Sequence, residues 1–121
     1  MTRMKRAATK TRGARGPARL SQATLAAMIE EAIVDAGDES EQAMGWFTMF
    51  EEHLELPFET TVLGTVVTVT RIDLRDYGQL NAICTRGRHR QAISLAELPL
   101  PTPRPAGSEW IEAYRHWLGG R

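Results

Sequence analysis

An α+β domain is what the chain predicts, on three observations. Apolar residues recur at helical spacing over 20–56, the period changes to alternating β-branched residues over 57–98, and a tryptophan-bearing segment closes the chain after a proline-rich connector. The 121 residues suit one domain, and 42% apolar content is enough for a modest core. The architecture expected is two N-terminal helices packed on a small antiparallel β-barrel, with a short C-terminal helix over 108–118.

Residues 1–19 hold seven bases, no acid, two glycines and a proline, without periodicity. Such a segment buries too little apolar surface to offset ordering, so a disordered basic arm is expected, followed by one domain over 20–121. Ser21 is placed to cap the first helix, with Leu20 and Leu25 as its hydrophobic staple. Leu25, Met28, Ile29, Ala32 and Ile33 form its apolar stripe, and Gly37 is the left-handed residue expected to end it. Asp38 and Glu41 have the spacing of a capping box opening a second helix. There Ala43, Trp46, Phe47, Phe50 and Leu54 share one face, and Pro57 forces the chain out of helix.

Gly64, Gly78 and Gly87 divide residues 57–98 into four or five short strands, with a hairpin around Arg86-Gly87. "LPLPTPRPAG" (98–107) carries four prolines and reads as an extended strap, chiefly residues 99–107. Ser108 is placed to cap the last helix, whose Trp110, Ala113, Tyr114 and Trp117 share a face until Gly119 and Gly120 end it.

The net charge of zero conceals a segregation: residues 20–121 carry eight bases against fifteen acids. Residues 30–59 hold ten acids and no Lys or Arg, so their repulsion stays uncompensated until a cation or basic partner arrives. Glu31 and Asp35 have the i, i+4 spacing of a like-charge helical pair, as do Glu51 and Glu55. Calcium takes ~6–8 oxygen ligands, and a helix end beside carboxylates offers bare carbonyls as well. Hard oxygen donors without clustered cysteine or histidine favour calcium, magnesium or manganese over zinc or copper. An EF-hand is excluded: a loop starting at Asp35 puts Trp46 where the bidentate Glu belongs, and one starting at Asp38 puts Met49 there.

Each acid also has an ordinary reading, Asp38 and Glu41 as a helix cap and Glu51, Glu52 and Glu55 as a solvated face. Cys84 is alone, and His53, His89 and His116 have no ligand or triad spacing. No nucleophile with a base and no phosphate-binding glycine loop appears, so no enzyme is expected. The apolar runs are far short of a membrane span and no cleavable leader is visible, which points to the cytoplasm.

The stretch "EEAIVDAGDESEQAMGWFTMFEEHLELPFE" (30–59) resembles the opening of the CcbP-type calcium-binding family. The shared features are an acidic helix, "VDA", an acid-rich turn, "MGW", "EE" and an aromatic-flanked proline. "AISLAELP" and "EWIEAYRHWL" resemble later parts of the same family more loosely, so the likeness covers about residues 29–118. It implies an SH3-like β-barrel behind the two helices and a monomeric, cytosolic calcium buffer or sensor. The ligands expected are Asp35, Asp38 and Glu39 first, then Glu41, Glu51, Glu52 and Glu59. One region departs from the family pattern: "TRIDLRDYGQLNAICTRGRHR" has five arginines and only Asp73 and Asp76 as acids. The basic arm is outside the pattern too. A second function follows from it, a nucleic-acid or protein interaction module in which the arm contacts a polyanion beside the barrel. Against this, the arm has no aromatic residue for base stacking and the body is acidic.

Overall fold

The computed structural model describes residues 20–120, so the arm expected over 1–19 lies outside the described residues. The elements follow as α1 (Gln22–Ile33), α2 (Glu39–His53), β1 (Phe58–Val62), β2 (Thr65–Leu74), β3 (Leu80–Arg86), β4 (His89–Ser94) and α3 (Glu109–Gly119), with one 3₁₀ turn at Asp76–Gly78. The chain is therefore α+β, with three α-helices and one four-stranded antiparallel sheet among the described residues.

The start of α1 is as expected: the Ser21 hydroxyl accepts the Thr24 N–H at 3.0 Å, satisfying one of the donors that a helix start leaves free. Its end is not. The helix stops at Ile33, and Asp35, not Gly37, takes the left-handed conformation at φ 64°. Aspartate tolerates this region better than most side chains, and the Ala36 N–H closes the turn on the Ile33 carbonyl at 3.0 Å. Asp35 is thus off the helix, and the helical pair expected with Glu31 does not exist. Likewise α2 ends at His53, so Glu55 lies beyond it and is no helical partner of Glu51.

The sheet runs β1-β2-β3-β4 in chain order and is not closed into a barrel by pairing of its outer strands. The β1–β2 loop is the two residues Leu63-Gly64, both at positive φ (51° and 79°), as a type I′ hairpin requires. A bulge between Val69 and Arg71 shifts the register of β2. Strict alternation would put Val69 and Ile72 on opposite faces; the extra residue lets both enter the core.

The sheet packs one face on the helices. Trp46 and Phe50 are fully buried, and Trp46 is ringed by Tyr114, Trp117 and Trp110 at centroid distances of 5.5, 5.6 and 6.4 Å. α3 thereby supplies the aromatic wall of a core begun by α2. Ser108 precedes α3 but does not cap it through its hydroxyl: its backbone is already helical (φ −65°, ψ −17°), and its N–H bonds the Pro105 carbonyl. The strap is fixed at two points. The Thr60 hydroxyl donates to the Pro99 carbonyl at 2.6 Å, and Glu55 and Ala106 exchange two bonds, Glu55 N–H to Ala106 O and Ala106 N–H to the Glu55 carboxylate.

Candidate functional site

The α1–α2 turn assembles the densest group of acids. Asp35, Asp38, Glu39 and Glu41 fall within seven consecutive residues, and all are exposed. Asp38 does cap α2, one carboxylate oxygen accepting the Glu41 N–H at 2.9 Å. Glu41 reaches back one residue further than a capping box would, accepting the Gly37 N–H rather than that of Asp38. Each of these two carboxylates therefore keeps one oxygen outside its capping bond.

Backbone packing fixes where this turn sits. Gly45 of α2 faces the Ala32 carbonyl of α1 so closely that a Cβ there would overlap the oxygen and lie 3.2 Å from its carbon. The last turn of α1 therefore rests on the backbone of α2. Residue type alone had marked Gly45 as part of "MGW"; its signal was a glycine inside a helical pattern, which points to a close approach.

The other predicted acids stand elsewhere. Glu51 and Glu52 lie near the C-terminal end of α2, and Glu59 is on β1. Thirteen residues separate Glu39 from Glu52, a rise of roughly 20 Å along the helix. Calcium–oxygen bonds of ~2.3–2.6 Å cannot bridge that span, so Glu52 cannot share one ion with Glu39. Glu51 lines a shallow cavity with Phe50, Leu56, Ile72 and Arg71, and Arg71 is itself 3.3 Å from Asp73. A guanidinium there opposes a bound cation. Glu52 lies 3.9 Å from the His53 imidazole. Glu55 is spent on the strap.

The donor chemistry of the turn fits calcium: hard carboxylate oxygens, with the negative dipole end of α1 beside them. Among the described residues no three His, Cys, Asp or Glu side chains converge as a ready cluster, so ligation by the turn requires its exposed carboxylates to rotate inward.

The calcium-binding CcbP family matches residues 27–118 of the chain. This protein belongs to the calcium-binding CcbP family. The crystal structure of Anabaena CcbP is similar, with 24% identity and a TM-score of 0.67 over 83% of this chain and 93% of that one. A structure described as a calcium binding protein in the calcium-binding form matches with 23% identity and a TM-score of 0.62, over 79% and 90% of the two chains. No curated protein matches. The CcbP-type match begins within α1 and ends within α3, so it takes in the acidic turn, the sheet and the strap. Calcium is the family's ion.

Proposed function

We propose that this chain is a non-EF-hand calcium-binding protein, a cytosolic buffer or sensor, whose ion sits at the α1–α2 turn. Asp35, Asp38 and Glu39 are the leading ligands, with Glu41 completing the set through its second oxygen. The observation that carries the reading is the turn itself, four exposed acids within seven residues and no Lys or Arg in 30–59, in a chain of a calcium-binding family. Glu51, Glu52 and Glu59 are weaker candidates outside the turn, Glu51 because Arg71 lines the same cavity and Glu52 because the His53 imidazole lies beside it. The role is binding rather than catalysis. We also read the sheet as an SH3-like barrel left open, with the strap beside β1 through the Thr60–Pro99 bond.

Titration calorimetry of the full chain with calcium and with magnesium, at physiological salt, tests this. Saturable calcium heat is expected below the millimolar range, lost in Asp35→Ala and Asp38→Ala and kept in Glu52→Ala. Heat unchanged by both turn substitutions defeats the assignment of ligands; no saturable heat at all defeats the function.

A further inference from the structure

At the end of the sheet furthest from the helices, the core-facing side is left uncovered and forms a groove of about 430 Å³. Its floor is apolar: Val62, Val67, Ile93 and the buried Cys84. Its rim is basic, with Arg86, His89 and Arg90 from the β3–β4 hairpin. No acid occurs between Asp76 and Glu97, and among the described residues neither Arg88 nor Arg90 has a carboxylate partner. Arg86 is held in place by donating to the Val66 carbonyl at 3.0 Å.

Leu63 stands at the mouth of the groove, and folding does not account for it. It is 100% exposed and sits at φ 51°, a conformation that costs a leucine free energy and that Asn or Gly adopts readily. An apolar side chain held out in solvent from a strained tip gains only by contact with something else.

We infer that this groove docks an acidic polypeptide segment of a partner protein, an aliphatic side chain of which enters between Leu63 and Ile93 while flanking carboxylates meet Arg86 and Arg90. Charge complementarity selects this occupant. The chain's own arm, with seven bases and no acid, is repelled by the rim. A nucleic acid is disfavoured because the lining offers no Phe, Tyr or Trp for base stacking.

The test is fluorescence anisotropy of the full chain, in chelator, with a fluorescein-labelled octapeptide of Asp and Glu carrying one central Leu. Saturable binding is expected, weakened about tenfold or more by a Leu→Ser change in the peptide. Arg90→Glu in the protein should weaken it similarly, while Asp38→Ala leaves it unchanged. Leu63→Asn separates docking from a structural role: it should weaken peptide binding while raising the thermal midpoint. Equal binding of the Leu and Ser peptides overturns the inference. So does tighter binding of a single-stranded oligonucleotide than of the peptide, or self-association of the free chain that Arg90→Glu abolishes without any peptide binding.

Discussion

Replacing Gly45 by alanine sets two known effects against each other, and the structure decides the sign. Alanine in a helix interior is favoured over glycine by ~1 kcal/mol, so propensity alone predicts a more stable protein. The new methyl, however, would overlap the Ala32 carbonyl oxygen, with that carbonyl's carbon 3.2 Å away and the Ile33 Cα 3.8 Å away. Both neighbours are backbone and cannot turn aside as a side chain would. Restoring an ordinary C···O approach of ~3.3–3.6 Å requires the helices to part by roughly 1.5 Å. That displacement unseats Leu25 and Ala32, which α1 contributes to the core. Overpacking of this kind costs ~1–3 kcal/mol or more, enough to outweigh the propensity gain. The expected net loss is about 1–2 kcal/mol, or roughly 4–12 °C in the thermal midpoint for a domain of this size. Urea unfolding followed by tryptophan emission, with a thermal scan, measures it. Because Ala32 and Ile33 lead directly into Asp35, calcium affinity should fall in the same variant. A Gly45→Ala protein as stable as the parent, or more so, would refute the close-packed account of α1 on α2.

Glu55→Gln should lower stability by about 1 kcal/mol through its weakened bond to the Ala106 N–H, with calcium affinity unchanged; altered calcium heat would place Glu55 among the ligands. Arg115 donates to the Leu95 and Leu98 carbonyls, and Arg115→Met should cost about 2–3 kcal/mol in urea unfolding by leaving them unpaired. Burial raises the pKa of the Cys84 thiol, so at pH 8 iodoacetamide should label it far more slowly in the folded chain than in urea. The sign for stability follows: the unfolded chain releases this proton at lower pH than the folded one, so stability falls as pH rises past the ordinary thiol pKa.

The parts of this fold legible in the sequence are those set by neighbours in the chain. Ser21 caps α1 because a cap needs only its own next turn, and Ala43, Trp46, Phe50 and Leu54 are buried, with Phe47 half-buried beside them, because helical period determines facing. Where two local solutions compete, the sequence underdetermines the outcome: Asp35 and Gly37 can both adopt positive φ, and packing of α1 on Gly45 favours ending the helix at the earlier one. The bulge in β2 was hidden because period-two reading cannot register an inserted residue. For the site, sequence identifies the acids but not their distribution in space. The segregation of Glu51 and Glu52 from the turn follows from the length of α2, and the loss of Glu55 from a bond to a residue 51 positions away.

Trp46 has a temporal consequence. Its neighbours Trp110, Tyr114 and Trp117 lie more than sixty positions later in the chain, so the indole cannot be enclosed until synthesis has passed through α3. The acidic turn between α1 and α2, by contrast, is complete by residue 41. During translation the turn emerges well before the core that will hold it rigid. A chain terminated at residue 107 would keep its acids yet leave a large aromatic surface open to water, and should accumulate as aggregate instead of as a smaller calcium binder.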